Sequence, residues 1–436
     1  MGALTQNLRA QLGASVTRKL TWRLVPFLFL LYIVAYLDRI NVGFAALQMQ
    51  SELHLNDAVY GFGAGLFFAG YFCFQVPSNI VLQRVGARRW IAMLMVVWGV
   101  VSAAMILVRT EREFYALRFL LGAAEAGFFP GVILYLKNWF PESVRARTIA
   151  RFMTAAPLAG VIGGPVSGAL LNLHQRGGLS GWQWLFLIEA LPAVILGVAV
   201  WIYLTDHPHD AAWMTPEEQS WLMQELRPAI PQAKSSGFAA FRDLRMWLFA
   251  VVYFGMTTVM YGIALWLPTI IHGISGLGNF GIGLLTAVPY VASALAMVLA
   301  GLHSDRSQER RLHTAIPAFV GAIALVVVAY SPSVTLSVAA ISLALLSAFS
   351  AMGPFWAMPT KILSGTAAAV GIALINSVGN LGGFAGPWVI GVIRKATGTF
   401  RGGLLSIAFA LAFSGFVVFL MKDRSDRAPI PSSTDC

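Results

Sequence analysis

Twelve apolar runs, each long enough to cross a bilayer as a helix, recur along this 436-residue chain and leave few folds open to it. They cover residues 22–47, 60–82, 90–108, 114–136, 149–171, 184–204, 246–271, 281–302, 314–330, 334–358, 367–392 and 403–420. A helix of roughly 20 apolar residues spans the hydrocarbon core. Only helices and closed barrels satisfy every backbone group there. A barrel would show weak alternating segments of about ten residues, whereas these runs are continuous. The fold class expected is an all-α integral membrane protein of twelve transmembrane helices. With 58% of residues apolar and 11% charged, against about a quarter charged in soluble domains, a soluble enzyme, a disordered chain and a disulfide scaffold are excluded. The two cysteines, Cys73 inside a run and Cys436 at the end, make no disulfide framework.

Charge placement sets the orientation. Twelve spans put both termini on one side, and 22 of the 30 Lys and Arg residues fall in loops and tails on that side, with six on the other. Positive charge is retained in the cytoplasm, so both termini are expected there, in a multi-pass cell (inner) membrane protein. The net charge of +11 is then topology, and no nucleic-acid partner is expected. Residues 1–21 are polar and basic without an apolar h-region, so they read as a cytoplasmic tail with the first span as its own insertion signal. The organisation expected is a six-helix domain over 22–204, a cytoplasmic linker over 205–245, a second six-helix domain over 246–421 and a tail over 422–436. Inside the linker, Thr215-Pro216-Glu217-Glu218 reads as a helix start.

The halves resemble each other at an offset of 222 residues. This places Gln83-Arg84 on Asp305-Arg306, Gly131 on Gly353, Gly160 on Gly382, and Gly164-Pro165 on Gly386-Pro387. Matching loops on the same side imply two parallel six-helix repeats, a common plan for transporters. The glycine cluster from Gly160 to Gly168 suits close helix packing better than direct gating.

The two cations not in loops, Arg39 and Arg118, lie inside spans with Asp38 and Glu125. Intramembrane ions are costly and mark pathways or proton relays. At the 222 offset these four positions carry Tyr261, Ala340, Met260 and Ser347, so the fold itself does not require charge there. Arg118 and Glu125 sit two helical turns apart, roughly 10 Å, which is too far to pair directly. An Asp38–Arg118 contact is compatible with their depths. Burial favours a neutral carboxylate and a neighbouring guanidinium favours a charged one. A proton on either carboxylate would therefore free a guanidinium for a carboxylate ligand, whose planar group the Arg fork matches. Weaker signals are Tyr71, Asn376, Ser377 and Asn380, and Tyr253, Thr257 and Tyr261, any of which serves either substrate or helix packing. Glu189 fits a neighbouring helix end better than a ligand. The seven histidines lie in or beside loops without metal-ligand spacing, and neither metal nor cofactor is expected.

Taken together, the two six-span halves and the loop Arg84-Val-Gly86-Ala-Arg88-Arg89, with its partner Gly301-Leu-His-Ser-Asp305-Arg306, resemble the major facilitator superfamily over nearly the whole chain. Tyr36-Leu-Asp38-Arg39-Ile-Asn41, Arg118-Phe-Leu-Leu-Gly122-Ala-Ala-Glu125-Ala-Gly127-Phe-Phe-Pro130-Gly131 and Asn138-Trp139-Phe140-Pro141 are similar to its anion:cation symporter branch. That resemblance implies proton coupling at Asp38 and Glu125 and substrate or gating roles at Arg39, Tyr71 and Arg118. Tyr261, Asn376 and Asn380 are expected to add substrate contacts from the second half, and Arg84, Arg88, Asp305 and Arg306 to form the gating loops. Two departures stand out. Gln83 replaces the usual acidic residue of the first loop, and the stretch Met153-Thr-Ala-Ala-Pro157-Leu-Ala-Gly160 is closer to tartrate- and hydroxyphenylacetate-type members than to galactonate-type ones. The expectation is a monomeric, proton-coupled importer of a small organic anion working by alternating access within the lipid bilayer. An exchanger or exporter on the same fold is the alternative, and a non-transporting receptor a remote one. An intramembrane enzyme would need a nucleophile–base or metal constellation, which the spans do not carry.

Overall fold

The computed structural model of the chain describes residues 2–226, 241–362 and 365–421, and the regular elements among them are helical. The first half contains α1 (Gly2–Ile40), α2 (Val42–Glu52), α3 (Asp57–Val85), α4 (Ala87–Ala104), α5 (Glu111–Glu125), α6 (Phe128–Trp139), α7 (Glu142–Met153), α8 (Ala155–Leu171) and α9 (Gly181–Tyr203). A short helix in the connection, α10 (Pro216–Glu225), leads to the second half: α11 (Leu244–Ser275), α12 (Asn279–Ser307), α13 (Leu312–Tyr330), α14 (Val334–Ile362), α15 (Gly365–Asn380), α16 (Gly382–Thr397) and α17 (Arg401–Leu420).

Eleven helical stretches among the described residues are long and apolar enough to cross a membrane. The remaining expected span, 367–392, consists of α15 and α16 end to end, interrupted at Leu381. Leu381 itself keeps helical backbone angles, and closely packed glycines flank it. Gly379 packs on the Tyr253 ring, and a Cβ at Gly382 would strike the Phe254 carbonyl. Gly also holds a helix weakly. Large apolar side chains such as Ile195, Val198, Leu295, Leu299, Phe409 and Phe413 remain exposed around the bundle, as a lipid-facing belt requires.

The stretch 2–21, read from sequence as a tail, continues α1 without a break. Val16 and Leu20 are fully buried, and the Trp221 ring of α10 packs on Gly13. Lys19 Nζ donates to Glu218 at 2.7 Å, and Arg9 pairs with Glu225 at 3.1 Å. The expected helix start is present: Thr215 and Glu218 form a capping box at the head of α10. Residues 227–240 of the linker and the tail 422–436 lie outside the described residues.

The internal repeat is realised in three dimensions. At the 222 offset Gly61 corresponds to Gly283, and Gly164 to Gly386. A Cβ on Gly283 would collide with the Gly164 carbonyl where α12 crosses α8, and one on Gly61 would collide with the Pro387 carbonyl where α3 crosses α16. The same half-to-half crossing is thus built twice. Two polar contacts follow the same symmetry: Asp57 pairs with Arg394 at 2.7 Å, and the equivalent residues Asn279 and Asn172 share a hydrogen bond at 3.3 Å. Tyr60 OH adds a bond to the Leu265 carbonyl at 2.7 Å. All of these lie toward the face opposite the termini, here called distal, and they seal it.

Candidate functional site

Nearer the terminal face than this seal, the interface between halves is held at its centre by one side chain. Arg39, on the last turn of α1, donates from Nη2 to Glu125 Oε2 at 2.9 Å and from Nη1 to Tyr261 OH at 3.1 Å. Glu125 ends α5 in the same half, while Tyr261 lies on α11 in the other. Residues 39 and 261 are equivalent under the repeat, so a residue touches its own counterpart. That happens only beside the axis relating the two halves. The guanidinium also lies 5.2 Å from the Phe67 ring centroid and 5.5 Å from that of Tyr71.

Arg118 packs on the same aromatic residue, its guanidinium carbon 5.2 Å from the Phe67 centroid. It is wholly buried, and Nη2 donates to the Ala64 carbonyl at 3.2 Å. Its Nε and Nη1 have no partner, and the same is true of Arg39 Nε and Glu125 Oε1. Unpaired buried donors are rare in folded proteins. Three such donors, on Arg39 and Arg118, belong to the two guanidinium groups that pack on the Phe67 ring.

The expected Asp38–Arg118 contact is not formed. Asp38 accepts instead from Trp98 Nε1 at 3.1 Å and Ser102 Oγ at 3.0 Å, both on α4. Successive residues on a helix point about 100° apart, so Arg39 can face the interface only if Asp38 turns into its own half. The buried charges among the described residues are Asp38, Arg39, Arg118, Glu125 and Glu189, all in the first half, as the repeat comparison anticipates.

Asn376 and Asn380 bond to each other: Asn380 Nδ2 donates to the Asn376 carbonyl at 2.8 Å and to its side-chain oxygen at 3.1 Å. They are not joined to the ions. Thr257 Oγ1 donates to the Gly379 carbonyl, a helix-packing role. Ser377 Oγ donates to Gln75 Oε1 at 2.9 Å, across the halves. This bond joins the halves on the terminal side of the Arg39 contact. The four loop residues lie on that face. Arg88 is tied to Asp206 (3.3 Å) and Asp305 to Arg310 (2.7 Å), each within its own half; Arg84 and Arg306 are exposed. A surface groove of about 710 Å³ lined by Arg9, Arg18, Arg151 and Trp221 also opens there. None of its lining residues belongs to the second half.

Sequence reasoning did not single out Trp98, Ser102 or Gln75. The repeat held a signal for the first two, since Val320 and Ala324 occupy the equivalent positions.

Comparison with known proteins agrees with this architecture. The family model described as Major Facilitator Superfamily matches residues 28–387. An Agrobacterium vitis protein provisionally named a tartrate transporter is 47% identical, covering 98% of this chain and 95% of its own. A quinolone resistance transporter of Acinetobacter baumannii is 39% identical over 94% of this chain and 95% of its own. Among solved structures, the bacterial homolog of the human lysosomal transporter Spinster, inward-facing and unoccupied, aligns with a TM-score of 0.74 at 17% identity, covering 91% of this chain and 95% of that one.

Proposed function

The chain belongs to the Major Facilitator Superfamily, and from that premise we propose that it is a proton-coupled symporter importing a small organic carboxylate, tartrate-like in size and charge. One observation carries this reading: Arg39 holds Glu125 of one half and Tyr261 of the other beside the axis on which the halves move. A proton taken up by Glu125 removes the charge that occupies the Arg39 fork. A substrate carboxylate then takes the vacated donors, while a second acidic or polar group of the same anion reaches the unpaired Nε and Nη1 of Arg118. Proton and anion therefore bind together. Asp38, held by neutral donors alone, is the second carboxylate of the coupling. In this reading the terminal face is cytoplasmic, and the sealed distal face marks a state closed to the outside. Tyr71 and Tyr261 border the anion, and Arg84, Arg88, Asp305 and Arg306 line the cytoplasmic mouth.

Tartrate uptake into proteoliposomes under an imposed pH gradient tests this. Glu125→Gln and Asp38→Asn should each lower gradient-driven accumulation by about tenfold or more; full accumulation in both would sink the coupling assignment. Export or exchange is a second reading, favoured by the resemblance to the quinolone resistance transporter. It predicts counterflow without a pH gradient and no accumulation with one.

A further inference from the structure

From Asp38 toward the distal face, the first span carries Asn41, Gln48 and Glu52 at intervals that return to one side of the helix. That side meets α8 and α9. Gln48 Nε2 donates to the Leu171 carbonyl at 3.1 Å, and its Oε1 accepts from Trp182 N at 3.1 Å. Glu52 Oε2 accepts from Trp182 Nε1 at 2.8 Å and from Ser180 Oγ at 2.5 Å. His174 Nδ1 stands 3.7 Å from Glu52 Oε1, both side chains partly exposed. Between this surface pair and Asp38 lies Glu189 of α9. One of its oxygens accepts from Ser167 Oγ of α8 at 2.7 Å. The other lies beside the Asn41 amide, close enough to interact with it but without completing a hydrogen bond of ordinary geometry.

The second half shows that the fold does not ask for these groups. At the 222 offset Asp38, Asn41, Gln48 and Glu52 correspond to Met260, Ile263, Ile270 and Ile274, and Ser167 and Glu189 to Val389 and Leu411. A polar column from Asp38 to Glu52, about 21 Å of helix, thus replaces an aliphatic one. Polar side chains that only fasten helices together satisfy each other. Here the second Glu189 oxygen and the Asn41 amide stand side by side without completing a hydrogen bond of ordinary geometry.

We propose that this column is the proton's way in from the distal face, with Glu189 as its buried carrier between the Glu52–His174 pair and Asp38. The proton that Glu189 accepts passes to Asp38, returning Glu189 to the carboxylate. Asp38, on α1, is near enough for the two carboxylates to interact. No titratable residue lies on α8, Arg88 and Arg89 sit at the terminal end of α4, and Glu52 at the distal end of α2. The inference rests on the symport reading.

Its test uses the full chain in proteoliposomes, with tartrate as probe and a pH-sensitive dye inside. Glu189→Gln should slow tartrate-driven lumenal acidification by about tenfold or more while tartrate exchange at equal pH persists. Glu189→Asp, which keeps a carboxylate, should acidify faster than the isosteric Gln variant. A purely structural role ranks them the other way, so that ranking, or unchanged acidification in Glu189→Gln, overturns the proposal. If Glu189→Gln also loses exchange, Ser167→Ala decides. A shifted pH profile of acidification supports the route, and an unchanged one overturns it. Exchange without any acidification by the unsubstituted protein would instead remove the symport reading, and this inference with it.

Discussion

Replacing Arg118 by leucine should raise the melting temperature of the purified protein and abolish uptake. The two effects share one cause. Arg118 is fully buried, has no salt-bridge partner, and leaves two of its nitrogens without an acceptor. A buried ion is retained at a cost, and exchange of buried ions for packed apolar side chains is often stabilising by about 1 to 4 kcal/mol. The repeat supplies a precedent for an apolar residue, since Ala340 stands at the equivalent position. The same donors are the ones proposed to receive substrate, and loss of a buried charged partner costs a ligand about 2 to 5 kcal/mol, a fall in binding of roughly 30-fold or more. Arg118→Lys keeps the charge but not the fork and should lose uptake without gaining stability. Thermal denaturation and tartrate uptake on the same preparations check both. A leucine variant that transports normally would remove Arg118 from the site, and one that melts earlier would make it a structural residue.

How far the sequence could lead is clearest at Asp38 and Arg39. Hydropathy locates both as ions inside a span, and the repeat shows that neither is required by the fold. Depth along a helix is thus legible. Rotation about its axis is not, because it depends on how helices from distant parts of the chain pack. Hence the partner of Glu125 became visible only with α1 in place against α5 and α11, and Asp38 proved to face Trp98 and Ser102 rather than Arg118. The close packing around Leu381 escaped for a related reason: Gly379, Gly382 and Gly383 count as weakly apolar in a hydropathy window, while their close contacts with Tyr253, Phe254 and Phe68 are long-range. Glu189 illustrates the opposite error. Its position suggested a helix-end partner alone, yet it accepts from a serine within a neighbouring helix while its other oxygen lies beside Asn41, at the head of α2.

The repeat leads to the second large effect. Gly61→Ala and Gly283→Ala should behave alike, although the two sites lie in different halves and at different crossings. In each case the new methyl meets a main-chain carbonyl of the opposite half, Pro387 for Gly61 and Gly164 for Gly283. A carbonyl within a helix cannot step aside as a flexible side chain would, so the helices must separate. Overpacking of this kind costs about 1 to 3 kcal/mol, and it is incurred only while the distal face is closed. An energy of that size borne by one of two states shifts their ratio by about 5- to 150-fold. The closed state is then depleted in both variants, and uptake, which passes through it in every cycle, falls with it. Because α3–α16 and α8–α12 close as parts of rigid halves, opening either crossing should open the other. Hydrogen exchange should quicken at the distal ends of all four helices in each variant. Exchange that quickens only beside the substituted glycine, with uptake unchanged, would show that the two crossings are not one seal.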